Sequence, residues 1–123
     1  MLEIGKSATV TTVVCDENTA KAVGSGSLPV FSTPMMIALM EQAACECIAD
    51  MLEPGQTSVG TMISAEHLAA SPLGAKISAT ARVEKIDGRK VFFVVNASDE
   101  KNEIGKGTHE RFVVDSARFM ARL

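Results

Sequence analysis

Residues Ser32 to Leu52, STPMMIALMEQAACECIADML, carry apolar side chains around most of a helical wheel. A helix of that length and character must be buried on several sides at once, so the rest of the chain has to surround it. Its start is well marked. Ser32 or Thr33 suits the N-cap, and Pro34 suits the first helical position, where a missing N–H leaves nothing unsatisfied. Pro54 and Gly55 end the run.

What surrounds it reads with period two. Ser7 to Val14 alternates small polar and apolar residues, and a loop of small residues, Val23 to Pro29, leads to the helix. Beyond the helix come strand patterns from about Thr57 to Leu68, Ala75 to Ile86, Arg89 to Ser98 with the core VFFVV, and a last strand ending near Val114. Ser71-Pro72-Leu73-Gly74, the hairpin pair Asp87-Gly88 and the polar turn Asp99 to Asn102 separate them. Ser116 to Leu123 suits a short helix capped by Asp115 or Ser116. With no repeat, linker or low-complexity tract, the reading is a single α+β domain over 1–123: strand, long helix, antiparallel meander. An antiparallel β-sheet curved around the central helix supplies the burial it needs, as in the hotdog fold, although the order of elements also permits other α+β sheets.

The chain has 123 residues, enough for one core but short for an enzyme that encloses its substrate alone, which points to a partner subunit. A net charge of -3 and a pI near 5.3, without basic clusters interleaved with aromatics, argue against nucleic acid as a ligand. No apolar run approaches the roughly 18 residues needed to cross a bilayer, so the expectation is a soluble, cytoplasmic protein without membrane contact. Three cysteines do not suggest a disulfide framework, and His67 and His109 form no metal-ligand spacing with them; no metal is expected.

One helix residue breaks the pattern. At about 100° per residue, Gln42, Glu46, Asp50 and Glu53 fall on one solvated arc, whereas Glu41 lies roughly 135° from its centre, in line with Ile37, Cys45, Ile48 and Leu52. An ionised group on such a face needs a partner or a task, and a snorkelling or paired Glu is the plain alternative. His67 falls, by alternation, on one face with Val59, Thr61, Ile63 and Ala65, opposite to Glu66, and should look inward. A hydrogen-bonded structural His, and a Thr33 that only caps, are the plain readings of those two.

The segment Ser32 to Glu41, the pair Gly60-Thr61 followed by His67, and Gly107-Thr108-His109-Glu110-Arg111-Phe112 together resemble the small hotdog thioesterases of the fluoroacetyl-CoA thioesterase type. The specific part is Thr33, then Glu41 eight residues on, then His67 after another 26. The resemblance implies a thioesterase acting on a short or medium acyl-CoA, with Thr33, Glu41 and His67 as catalytic set. Gly60 would admit the substrate close to its backbone, and Arg111 would meet phosphate or pantetheine oxygens. Coenzyme A enters as part of the substrate and no other cofactor is implied. It also implies a homodimer, with a tetramer as the further assembly, and active sites at the subunit interface. Either Thr33 attacks the thioester, or Glu41 or His67 activates water that Thr33 orients.

His109 reads as structural or dimer-associated. The charged set Arg82, Glu84, Lys85, Arg89 and Lys90 reads as a solvated face, with bases also placed to meet a CoA nucleotide. One departure bears on the substrate: Val23 to Val30 contains no aromatic residue, where the fluoroacetyl-specific form covers its acyl pocket with aromatics. An acyl carrier protein remains open as thioester donor. The alternative, from a different class, is a non-catalytic acyl-CoA or small-ligand binding hotdog protein.

Overall fold

Ser32 opens the long helix as the sequence leads one to expect, its Oγ accepting from the Met35 amide at 3.3 Å with Pro34 in the first turn. The structure is a computed structural model and describes residues 2–123. Its elements are β1 (Ser7–Val13), a one-turn α1 (Ala20–Val23), α2 (Thr33–Ala49), β2 (Gln56–His67), β3 (Lys76–Asp87), β4 (Lys90–Ser98), β5 (Glu103–Asp115) and α3 (Ser116–Ala121). The long helix stops sooner than Pro54 and Gly55 imply. Asp50 is its C-cap, and the Asp50 carboxylate is held by the Lys6 ammonium, which fixes the chain end of α2 against the strand that precedes it.

The five strands form one antiparallel sheet in the order β1-β3-β4-β5-β2. Alternation on the central strands is strict. Ile77, Ala79, Ala81 and Val83 of β3, and Val91, Phe93, Val95 and Ala97 of β4, are all buried, and they pack on Met36, Leu39, Met40, Ala43, Ala44, Cys47 and Ile48 of α2. The alanines on both elements let helix and sheet approach closely. This is the hotdog arrangement, a sheet curled around one helix.

Two details of β2 decide where the functional residues go. First, the sheet order leaves β2 at an edge, with 12 residues whose outer backbone groups have no strand beside them among the described residues. Second, β2 carries a bulge: Gly60 pairs with Arg111 and Met62 with Glu110, so Thr61 is the extra residue. The bulge shifts the parity of the strand. Ile63 and Ala65 share the inner face with His67 as the alternation requires, but Val59 and Thr61 do not; on the far side of the bulge Ser58 and Gly60 face inward instead. Thr61 turns its hydroxyl to the Glu110 carbonyl at 3.2 Å. No described helix is long and apolar enough to cross a membrane.

Candidate functional site

Thr33, the first residue of α2, and His67, the last of β2, meet: Thr33 Oγ1 lies 2.7 Å from His67 Nδ1. With the ring neutral and its proton on Nε2, the hydroxyl donates to Nδ1, which is the arrangement of a nucleophile beside its base. Burial pushes the His67 pKa below the ordinary histidine value, with the nearby Ala69 backbone opposing, so the imidazole is neutral at pH 7. Its Nε2 is buried and has no hydrogen-bond partner within the chain. An open cavity of about 340 Å³ adjoins the pair, walled by Ala20, Val30, Phe31, Leu68 and Ala69. The N-terminal end of α2, the positive end of the helix dipole, points the same way.

Glu41 stands elsewhere. Its side chain is 40% exposed on the flank of α2, between the half-buried Ile37 and Cys45, and its Oε2 lies 3.6 Å from Nη1 of Arg111. Arg111 itself is only 6% exposed and is engaged on all sides. Its Nε donates to Ser58 Oγ at 2.8 Å, its Nη2 to the Ser58 carbonyl at 3.0 Å, and its Nη1 lies 3.2 Å from His109 Nε2. His109, 1% exposed, has Nδ1 2.7 Å from the Met62 carbonyl. The proton therefore sits on Nδ1, leaving Nε2 to accept from Arg111. Burial above all holds the His109 pKa low; the Met62 carbonyl opposes it, and the Arg111 charge adds to it.

Gly60 makes room for this cluster. A Cβ there would lie 2.8 Å from Glu41 Oε2, 3.2 Å from Arg111 Nη1 and 3.4 Å from His109 Cε1. The space over Gly60 is thus filled by the chain's own carboxylate and guanidinium.

One chain assembles two separate groups of polar side chains and does not join them. Eight residues of helix separate Thr33 from Glu41, about 12 Å of rise. Gly60, beside Glu41, is about 20 Å along β2 from His67. Thr33 is brought together with His67, and Glu41 with Gly60 and Arg111. Ser58 and His109 complete the second group, and neither stood out as part of a site in the sequence. The i, i+2 spacing of His109 and Arg111 on a strand was a signal that both face one way. Among the described residues no group of three His, Cys, Asp or Glu is placed to hold a metal ion.

Comparison with known proteins bears on the family and the fold. A family model described as fluoroacetyl-CoA-specific thioesterase matches residues 14–117. The chain is 43% identical over 94 residues to the fluoroacetyl-CoA thioesterase of Streptantibioticus cattleyicolor, a match covering 76% of this chain and 68% of that protein. A crystal structure of a phenylalanine-to-alanine mutant of the fluoroacetyl-CoA-specific thioesterase, in complex with fluoroacetate and CoA, superposes with a TM-score of 0.91 at 35% identity, covering 96% of this chain and 99% of that one. A thioesterase superfamily member from Thermus thermophilus superposes at 0.90 with 33% identity, covering 98% and 89%. A sheet curled on its helix, a Thr–His pair at the helix start and these relatives lead to one assignment: the chain belongs to the fluoroacetyl-CoA-specific thioesterase family of hotdog-fold thioesterases.

Proposed function

We propose that this thioesterase hydrolyses short or medium acyl-CoA as a homodimer, with Thr33 and His67 of one chain completed by Glu41 of the other. The observation that carries the reading is the Thr33–His67 hydrogen bond at the edge of an open cavity, with His67 Nε2 buried and unpartnered. A buried ring nitrogen without a partner costs stability, and a carboxylate is the partner that would also orient the imidazole. Within the chain Glu41 is too far away to serve.

A two-fold pairing of β2 edges removes the difficulty. Antiparallel pairing in a register that sets His67 of one β2 beside the Gly60 region of the other brings it to the partner's Glu41, which stands over Gly60. The same pairing satisfies the exposed edge of β2.

In the reaction Thr33 Oγ1 attacks the thioester carbonyl carbon as its proton passes to His67 Nδ1. Negative charge on the carbonyl oxygen develops at the N-terminus of α2, the positive end of the helix dipole, which stabilises it. Collapse of the tetrahedral species breaks the C–S bond, and His67 returns the proton to the departing CoA sulfur. Water then attacks the acyl-threonine with His67 again as base, releasing the carboxylic acid and restoring Thr33. Glu41 accepts from His67 Nε2 and stabilises the imidazolium formed in each half. Arg111, held by Ser58 and His109, keeps Glu41 in place.

Beyond Thr33 and His67 the cavity is lined by apolar side chains and Ser25 and holds no carboxylate, ammonium or guanidinium, which suits an uncharged acyl group. The relative from Streptantibioticus cattleyicolor is named for fluoroacetyl-CoA; here the aromatic-free loop Val23 to Val30 favours a plain acyl group over that one. Thiol release from acetyl- through decanoyl-CoA tests the reading, with wild type beside Thr33→Ala, Glu41→Gln and His67→Ala. The expected result is turnover of part of the series by wild type and loss of about 10²-fold or more in each variant. Binding of acyl-CoA without turnover of any member would replace the enzyme by a binding protein.

A further inference from the structure

Two stretches of irregular backbone bring Thr33 and His67 together, and they meet at Ser71. On the histidine side, the Leu68 amide donates to the Ile104 carbonyl at 2.7 Å, which fixes the end of β2 that carries His67. On the threonine side, the Ser32 amide donates to the Asn18 carbonyl at 3.1 Å, and Thr19 and Phe31 form an antiparallel bridge. The Phe31 amide donates to the Ser71 carbonyl at 2.9 Å, and Val30 bridges Pro72 beside it. Phe31 lies two residues before Thr33 and Ser71 four after His67, so the separation of hydroxyl and ring is set across that junction.

The junction has an anchor of its own. Ser71 is fully buried, and its hydroxyl donates to Asp99 Oδ2 at 2.8 Å, a partner 28 residues away in the turn between β4 and β5. A buried hydroxyl needs a partner, and an ionised acceptor makes the stronger bond. Asp99 is held in place for that task. Its Oδ1 accepts from the Lys101 and Asn102 amides at 2.8 and 2.7 Å, and its own amide donates to the Asn102 carbonyl at 3.0 Å. The Lys101 amide above all keeps its carboxyl below the ordinary carboxylate range; burial opposes this, and the Asn102 amide and the Ser71 hydroxyl add to it, so Asp99 is ionised at pH 7. The same turn runs into β5, where Ile104 holds Leu68.

We infer that Ser71, anchored by Asp99, is a positioning residue that sets the distance between Thr33 Oγ1 and His67 Nδ1. The inference rests on the thioesterase reading above. Ser71 stands behind the cavity beside the pair: Phe31, Leu68, Ala69 and Ala70 line it and Ser71 does not, so removing the hydroxyl takes nothing away from the cavity wall. In Ser71→Ala the threonine side keeps its bonds to Thr19 and Asn18, and the histidine side its bond to Ile104. The junction between them comes loose from the β4–β5 turn, and the 2.7 Å contact of nucleophile and base is no longer fixed. Displacements on the order of 1 Å at such a pair are enough to cost up to about 10²-fold in rate.

Nitrogen NMR of the His67 ring reads that contact directly. The chain has two histidines, so comparison with His67→Ala assigns the signal, and Thr33→Ala marks where Nδ1 resonates without its donor. In Ser71→Ala the signal should move from the wild-type position toward that mark. In turnover kcat for acyl-CoA should fall about tenfold or more, with KM within about threefold of wild type. Asp99→Ala approaches the same bond from the outer turn and should do the same; if Ser71→Ala does not fold, it carries the test. Asp99→Asn keeps an acceptor for the two turn amides and a hydrogen bond to Ser71 with donor and acceptor exchanged, so kcat should stay within about threefold of wild type. A ring signal unmoved in the alanine variants, or an unchanged kcat, would overturn the inference, as would a loss in Asp99→Asn as deep as in Asp99→Ala. Lower thermal stability alone, with signal and kcat in place, would make the Ser71–Asp99 bond merely structural and overturn it too. If wild type released no thiol from any acyl-CoA, the catalytic reading would fall, and the ring signal would still decide whether Ser71 sets the Thr33–His67 distance.

Discussion

Replacing Gly60 by Ala tests whether the Glu41–Arg111 cluster is catalytic equipment or only packing. The backbone at Gly60 is not in the left-handed region, so alanine is conformationally acceptable there. The added Cβ would lie 2.8 Å from Glu41 Oε2 and 3.2 Å from Arg111 Nη1. Arg111 is pinned by two bonds to Ser58 and cannot retreat, whereas the Glu41 carboxylate is the end of a flexible, 40% exposed side chain. The carboxylate must therefore move by about 0.7 Å to reach an ordinary contact. Stability should change by less than about 1 kcal/mol, because the loss of unfolded-chain entropy offsets the local crowding. Catalysis is less forgiving: a displacement of that size at an orienting carboxylate should lower kcat/KM by roughly 10- to 100-fold, about 1.4–2.7 kcal/mol of transition-state stabilisation. Thiol release and thermal unfolding on the same preparations separate the two effects. Unchanged kcat/KM would refute the reasoning, as would a large fall in Tm with activity lost only in proportion to unfolding.

Acidification should act through the two histidines. Burial holds both pKa values below the ordinary histidine value within one chain, and in the proposed dimer the Glu41 carboxylate at His67 Nε2 opposes this at His67; Glu41→Gln should therefore move the acid limb of the residual kcat/KM to lower pH, and a limb that stays in place or moves to higher pH would contradict this. For stability, the unfolded chain binds protons more readily than the native one below its histidine pKa. The contribution of His109, whose burial lies wholly within one chain, is therefore complete above about pH 6.5 and is lost as pH falls through and below it. The urea midpoint should be lower at pH 5.5 than at pH 7.5, and an equal or higher value would be evidence against it. Gly107→Ala places a Cβ against the Ser64 carbonyl and 2.8 Å from Ala65 Cα, backbone that cannot step aside. It should cost about 3 kcal/mol and lower Tm on the order of 10 °C, and a Tm within about 2 °C of wild type would show that β2 and β5 can separate freely.

Much of this architecture is legible in the residue pattern because it is local. Ser32 and Pro34 mark the start of α2 with a cap and a ring that fits there, and the alternation of Ile77 to Val83 and Val91 to Ala97 marks the faces of β3 and β4. The turn residues Asp87-Gly88 place the hairpin between them. The end of α2 is less clear in the sequence, since the helix yields to the pairing of Lys6 with Asp50, a contact 44 residues apart. The bulge at Gly60 and Met62 is not legible either. Nothing in the period of β2 announces an extra residue, and carrying strict alternation through Thr61 puts Val59 and Thr61 on the wrong face. The companionship of Glu41 with Ser58, His109 and Arg111 depends on the register between β2 and β5, which short-range pattern does not set. Thr33 and His67 were recognisable as candidates, yet their bond exists only because the helix start and the strand end meet in space.

Joint contribution of two chains to one site is the central claim, and complementation between two inactive variants tests it most directly. Chains carrying Thr33→Ala and chains carrying Glu41→Gln are unfolded and refolded together, and thiol release is compared with each variant refolded alone. In a mixed dimer one site inherits both lesions while the other combines intact Thr33 and His67 with an intact Glu41 from across the two-fold. The account predicts that the mixture recovers about one quarter of the wild-type rate, half of the dimers being mixed and each having one working site of two. A mixture that stays as inactive as its parents, with mixed dimers confirmed by mass, would mean that Thr33, His67 and Glu41 act within a single chain, and a Glu41→Gln parent as active as wild type would mean that Glu41 takes no part.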